Sequence, residues 1–417
     1  MALGRRKDYR NEKAMDDTRD LLILGGGLVG MTLALAAARQ GLSSHVVDRA
    51  DPAELTAEGF DGRASAISTA SWNLFRNIGL APALEPYGCP IEAIAVTDQL
   101  RPGRIDFRPE AHEGSLGRMF ANRTLRLALF EAATQEPLIA WHSRAEVVAR
   151  DRGEHAVSAR LADGRTLRAA LMVGAEGRMS PTREAAGLAI ANWRYGHRAI
   201  IAGLEHADPH RGVAWEIFYP AGPFALLPMR SGDAAHRSAL VWTVDEKDAA
   251  GTLKLSDRAF RAEVEKRMGG VLGGVRAVGP RSSFPLGFHH TARITAHRLA
   301  LAGDSAHGIH PIAGQGLNLG LRDVGALVEV LAEGARLGLE PGDAQMLARY
   351  ERWRGLDSFM VALATDGLTR LFGVPGRTAS LVRRAGMAGV QRLPALKHWF
   401  MDEARGVSGD VPELMRG

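Results

Sequence analysis

A single cysteine, Cys89, is all the thiol chemistry that 417 residues carry. This excludes an intramolecular disulfide and a cysteine-built metal site, fits a reducing compartment, and leaves Cys89 an expected role as a small buried apolar group. Aromatic residues make up only 6% of the chain. No stretch approaches the ~18 uninterrupted apolar residues of a membrane-spanning helix. The opening residues 1–18 are charged throughout, lack the apolar segment of a secretory signal, and are expected to form a loose leader. Nor is there a large excess of one charge: 52 basic and 47 acidic residues leave a net charge of +5. So small an imbalance in so long a chain does not point to nucleic acid. The expectation is a cytoplasmic protein with core enough for about two or three domains, peripheral contact with the inner face of a membrane remaining open.

Against these absences stands glycine, 48 residues of it, concentrated at informative places. An apolar run, Asp20-Leu21-Leu22-Ile23-Leu24, meets Gly25-Gly26-Gly27-Leu28-Val29-Gly30, and an alanine-rich helical stretch follows as far as Gly41. A second short strand over 44–47 ends at Asp48, 18 residues past Gly30. Strand, Gly-x-Gly-x-x-Gly, helix, strand and acid in this order are the context a dinucleotide turn requires. Pyrophosphate would sit on the helix N-terminus, and Asp48 would accept hydrogen bonds from the adenosine ribose. The pattern does not choose between NAD and FAD.

A related arrangement recurs over 298–330. A strand at 299–302 stops at Gly303-Asp304, a loop containing His307 and His310 follows, and a helix with Leu317, Leu321, Val324, Val328 and Leu331 on one stripe begins near Gly316. Gly314, Gly316 and Gly320 would let a ligand approach the main chain, the helix start favours negative charge, and Asp304 suits a ligand's hydroxyls. Taken alone, the stretch could also be a tight structural connection. Metal binding by the two histidines and Asp304 is not expected, because no fourth ligand is suggested.

Between these segments, Arg63 stands on a polar approach to a helix and Arg126 on the outer side of a helix over 122–133. The strand pattern at 145–173 ends in Gly174-Ala175-Glu176-Gly177-Arg178. Strand patterns at 199–204, 213–219, 224–229 and 239–244, separated by glycine and proline turns, suggest an antiparallel sheet. Trp193, Tyr195, Trp215, Phe218, Tyr219, Phe224 and Trp242 gather there, individually suited to core packing and as a group to a flat apolar substrate. From about 371 apolar residues alternate with arginines, which reads as a helical cap or as an amphipathic surface for a membrane or a partner.

Together, Gly25-x-Gly27-x-x-Gly30, Asp61-Gly62-Arg63-Ala64, the Gly174 to Arg178 loop and Gly303-Asp304-Ser305-Ala306-His307 resemble group A flavin-dependent aromatic hydroxylases, the para-hydroxybenzoate hydroxylase class. The run from His307 through Pro311 and Gly314-Gln315-Gly316-Leu317-Asn318 to Gly320 is similar to the ubiquinone-biosynthesis hydroxylases, as are the segments 218–228, 283–286 and 365–368.

The resemblance implies an α/β fold with a Rossmann-like FAD-binding domain (18–90, 115–190 and 290–370). Interleaved with it would be an antiparallel-sheet substrate domain (91–114 and 191–289), followed by a helical C-terminal segment (371–417). FAD would be held by Gly25, Gly27, Gly30, Asp48, Arg63, Arg126 and Asp304, with Gly316, Leu317 and Asn318 beside its ring. Pro311, Gly314, Gln315 and Gly316 would wall the reaction site, where a flavin C4a-hydroperoxide would hydroxylate a polyprenyl phenol or quinol. The implied co-reactants are O2 and a transiently bound NAD(P)H. A membrane surface, other ubiquinone-biosynthesis proteins and a second copy of the chain are compatible partners. The family's aspartate in the second loop is Glu176 here, one methylene longer, which puts its cofactor contact in question. Two alternatives stand beside this reading: an FAD reductase that saturates prenyl chains, which shares the glycine and Gly-Asp motifs, and a non-catalytic flavin-bearing subunit of a biosynthetic complex, for which Glu176 is the only hint.

Overall fold

Two large sheets divide the chain, and segments distant in sequence alternate between them. A computed structural model describes residues 18–57, 62–110, 112–230, 236–308, 314–373, 386 and 389–417. Residues 1–17 of the expected leader and most of 374–388 lie outside the described residues, whereas Thr18 already belongs to a strand.

The first sheet is parallel at its centre. Thr18–Leu24 lies between Ser44–Val47 and Thr166–Gly174, with Ile139–His142 and Leu299–Leu301 as the next strands outward. Strands covered on both faces read as continuous apolar runs, and Leu21, Leu22, Ile23 and Leu24 are at most 1% exposed. One face receives the alanine-rich helix Leu28–Arg39, packed against the 22-residue helix Gln315–Arg336. Gly320 serves this packing: a Cβ there would lie 2.9 Å from Val29 Cγ2 and 3.0 Å from Gly303 Cα. Its expected part in ligand approach is therefore replaced by close contact of helix, loop and helix.

The second sheet has nine strands, with Ile190–His206, His236–Asp245, Gly222–Met229 and Val213–Tyr219 as consecutive neighbours. These pairs are antiparallel, as expected, but Val213–Tyr219 also pairs in parallel with Ala93–Asp98. Alternation gives this sheet two unlike faces. On one, Ile217, Phe224, Leu226 and Trp242 form a core with Phe260, Val264 and Met268 of the helix Asp257–Met268, and Trp215 and Tyr219 pack at its edge. On the other are Ala214, Glu216, Ala225, Leu227 and Val241. Trp193 stacks on Phe288 at 4.0 Å. The sequence-level link between the aromatic cluster and a flat substrate is thus corrected, since none of its seven members is among the described residues lining the central cavity.

A third, three-stranded sheet joins Ala64–Ser68, Gly117–Ala121 and Cys89–Pro90. Cys89 is buried, and burial pushes its thiol up to about 11, which keeps it protonated and inert. The C-terminal region contains the helices Ala344–Gly373 and Pro394–Arg405. No helix among the described residues is long and apolar enough to cross a membrane.

Candidate active site at the junction of the two large sheets

At the end of the strand Thr18–Leu24 the chain turns through Gly25 with φ +104°, a conformation open to glycine, and a Cβ there would meet Ala175 O at 2.3 Å. Gly30 is as confined, with Gly25 O 1.8 Å from its would-be Cβ, whereas nothing lies within 4 Å of a Cβ on Gly27. Two glycines shape the turn and the third leaves room for a ligand at the start of the helix Leu28–Arg39. Asp48 reaches the same place: its Oδ2 accepts from Gly26 N at 2.6 Å and its Oδ1 from Ala50 N at 2.8 Å. Arg126 lines the cleft here with Gly26, Gly27, Phe130 and Trp141.

The second half of the site begins where Leu299–Leu301 ends. Gly303 takes φ +62° and starts a tight turn through Ser305, and Asp304 turns its side chain to the cleft. Surrounding protein pushes the Asp304 carboxyl above the usual range, opposed by the charges of His307 and Arg178. Behind the turn, His289 Nε2 donates to Asp304 O at 2.7 Å. Past the undescribed 309–313 segment, Gly314 at φ +64° precedes the helix Gln315–Arg336, whose first-turn N–H groups lack intrahelical acceptors. A Cβ on Gly316 meets nothing within 4 Å.

Asp323, on the third turn of that helix, ties the loop down from below. It accepts from His307 Nε2 at 2.6 Å, Gly303 N at 2.9 Å and Arg354 Nε at 2.7 Å. Arg354 also pairs with Asp357, which Arg322 Nε approaches at 3.1 Å. Burial raises the pKa of Asp323, but the charges and hydrogen bonds of His307 and Arg354 outweigh it and hold the carboxyl below its usual value.

Leu28 and Val29 of the first half meet the second half at one cavity of about 390 Å³. Leu28, Val29, Asp304, Gly314, Gly316 and Leu317 form its glycine-loop side. Facing them is the aliphatic side of the nine-stranded sheet, including Ala214, Ala225, Leu227 and Val241, with Glu216 and Thr243. A larger groove of about 890 Å³ runs beside Tyr219, Trp242 and Arg267, but it touches neither glycine loop, so size does not locate the site.

The sequence-derived candidates separate accordingly. Gly25, Gly27, Gly30, Asp48 and Arg126 gather at one cleft, and Asp304, Gly314, Gly316 and Leu317 line the other part of the site. Arg63 lies with its guanidinium 4.9 Å from the Phe284 ring centroid, bridging to the strand Ser282–Thr291. Gln315 and Asn318 lie on another side of the helix. Asn318 donates to Ala66 O at 2.9 Å and Gly314 O at 3.2 Å and accepts from Ser68 N at 2.9 Å, so its side chain holds the helix start in place rather than facing the cavity. Pro311 lies outside the described residues. Glu176 is bound by Arg150 at 2.9 Å, Ser180 Oγ at 2.8 Å and Thr182 N at 2.9 Å, which makes it an anchor of its own loop. Glu216, Asp323 and Arg354 were not singled out from the sequence. Glu216 breaks the aliphatic alternation of its strand, which is the one hint it carries.

The family model described as an FAD binding domain matches residues 18–356. The chain is 45% identical over 405 residues to a protein of Rhodospirillum rubrum named ubiquinone hydroxylase UbiL, covering 96% of this chain and 94% of that one. The chain belongs to the ubiquinone-biosynthesis hydroxylase family of FAD-binding monooxygenases. Another of its members, the 3-demethoxyubiquinol 3-hydroxylase of Escherichia coli, is 30% identical over 390 residues, 93% of this chain and 98% of that one. Among solved structures, p-nitrophenol 4-monooxygenase PnpA of Pseudomonas putida superposes with a TM-score of 0.78 at 17% identity, over 95% of this chain and 99% of that one, and shares the fold.

The residues present suit the family's cofactor. Gly27 and Gly316 leave open spaces that a Cβ would fill, the 22-residue helix offers N–H donors, and Asp304 offers an acceptor.

Proposed function

We propose that the chain hydroxylates the aromatic ring of a polyprenyl phenol or quinol in ubiquinone biosynthesis, using FAD, O2 and NAD(P)H. The observation carrying this reading is the shared cavity, in which a flavin-type glycine loop faces an aliphatic sheet surface. Kinship with UbiL supports the choice of pathway. We assign residues 18–90, 115–190 and 290–370 to cofactor binding and 91–114 and 191–289 to the substrate.

Bound FAD would supply the activation of O2 and the transfer of one oxygen atom. The chain's own residues supply placement. Asp304 would accept hydrogen bonds from cofactor hydroxyls, and the N–H groups at Gly316 and Leu317, at the helix start, would favour negative charge on the cofactor. Gly316 leaves space for the ring, and Asp323 keeps Gly303 and His307 in register with the helix. Ala214, Ala225, Leu227 and Val241 keep water from the reacting face. NAD(P)H would visit transiently, because the sequence offers a single Gly-x-Gly-x-x-Gly turn between strand and helix. Exposed Phe359, Met360, Leu393 and Trp399 suit peripheral contact with the membrane that dissolves a polyprenyl substrate.

A strain lacking this chain is expected to accumulate a polyprenyl phenol or quinol short of at least one ring hydroxyl. Mass spectrometry of its quinones, with and without a plasmid copy, checks this, and an unchanged quinone profile contradicts it.

A further inference from the structure

The nine-stranded sheet presents an aliphatic wall to the cavity, with one carboxylate in it. Glu216 pairs in register with Ala225, which pairs with Val241, and Ala214, Leu227 and Thr243 stand two residues along on the same face. Glu216 is 6% exposed and lines the cavity opposite Gly316 and Leu317. Thr243, 3% exposed, lines the same cavity, and its Oγ1 has no hydrogen-bond partner among the described residues. A buried hydroxyl without a partner is costly, and here a ligand could supply one. An aliphatic residue at 216 would continue the wall, whereas a carboxylate adds a strong acceptor.

We propose that Glu216, assisted by Thr243, is the substrate-orienting residue. The ring hydroxyl of the substrate donates to the Glu216 carboxylate and accepts from Thr243 Oγ, while ring and prenyl chain lie on Ala214, Ala225, Leu227 and Val241. Asp304, on the opposite wall, remains for the cofactor. The pair fixes the ring's rotation and hence which carbon faces the flavin. This inference rests on the monooxygenase reading above and adds the chemistry by which substrate is selected.

The test compares 2-geranylphenol with its methyl ether, which keeps the shape and lacks the O–H. Binding to FAD-loaded protein is followed by the flavin absorption change, and products by mass spectrometry. Wild type is expected to bind the phenol about ten- to a hundredfold more tightly than the ether. Glu216→Leu is expected to abolish that preference, form mixed ring isomers and release more hydrogen peroxide. Glu216→Gln, which preserves the shape, reduces the preference, and Thr243→Val reduces it less than Glu216→Leu. FAD content and melting temperature identify a misfolded variant, in which case Glu216→Gln decides. Either Glu216 variant retaining the wild-type preference and single product at normal FAD content overturns the assignment, as does a wild type that binds phenol and ether equally. A wild type that binds neither compound and hydroxylates neither contradicts the monooxygenase reading itself.

Discussion

His307 Nε2 lies 2.6 Å from Asp323 Oδ2, and the two side chains are 1% and 0% exposed. The same carboxylate oxygen accepts from Gly303 N, so one buried group holds both ends of the Gly303 to His307 turn that presents Asp304. Arg354 compensates the charge from the opposite side.

Removing this carboxylate leaves the buried Arg354 guanidinium with Asp357 alone and takes the acceptor from His307 and Gly303 N. Asp323→Ala is therefore expected to destabilise the fold by about 3–5 kcal/mol and to lower FAD retention, with Asp323→Asn less severe. Urea unfolding and flavin content after gel filtration check this; a variant with wild-type stability and full flavin would show that the network does not hold the loop.

Acid should weaken the fold through His289, which burial pushes down to about 4 from 6.5 despite its hydrogen bond to Asp304 O. Between these values the unfolded chain binds the proton and the native chain does not, so stability present above about pH 6.5 is lost as pH falls toward 4. This contribution amounts to about 2 kcal/mol between pH 7 and pH 5. His289→Gln, whose amide can still donate to the carbonyl, should flatten the pH dependence by that amount. Urea midpoints at the two pH values measure it, and an equal slope in wild type and variant would contradict it.

Glycine substitutions should separate folding from cofactor binding. Gly316→Val projects into open space, so the protein should fold with little change in melting temperature while FAD affinity falls about ten- to a hundredfold by overpacking of the ring site. Gly30→Ala meets Gly25 O and should fail as a folded protein. Thermal unfolding and FAD titration of both decide it, and normal flavin content in Gly316→Val would remove Gly316 from the cofactor site.

Loss of the Asp304 acceptor should weaken FAD binding about ten- to a hundredfold while leaving the buried network intact. Equilibrium titration of apoprotein Asp304→Ala with FAD is the check, and unchanged affinity would free Asp304 from its assigned role.

Local rules made much of this legible beforehand. Leu21 to Leu24 read as a buried strand because nothing polar interrupts them, and the helix Gln315–Arg336 was visible in its apolar stripe. Facing direction was harder. Trp215, Phe224 and Trp242 alternate out of phase with Glu216, Ala225 and Val241, but alternation does not say which face meets the glycine loop. That choice is made by the helix Asp257–Met268, which covers the aromatic face. Asp323 and Arg354 lie 31 residues apart on different helices, and only helix packing turns them into a buried pair. Asn318 and Gln315 belong to the same motif as Gly316, yet helical rotation carries them to another side.

The most direct measurement supplies FAD-loaded protein with 2-geranylphenol, NADPH and isotopically labelled oxygen gas. Mass spectrometry of the product should show one oxygen atom from O2 in a new ring hydroxyl, formed in proportion to the NADPH consumed. Binding of the phenol and reduction of the flavin without label in the ring, or saturation of the prenyl chain in its place, would contradict ring hydroxylation at this cavity.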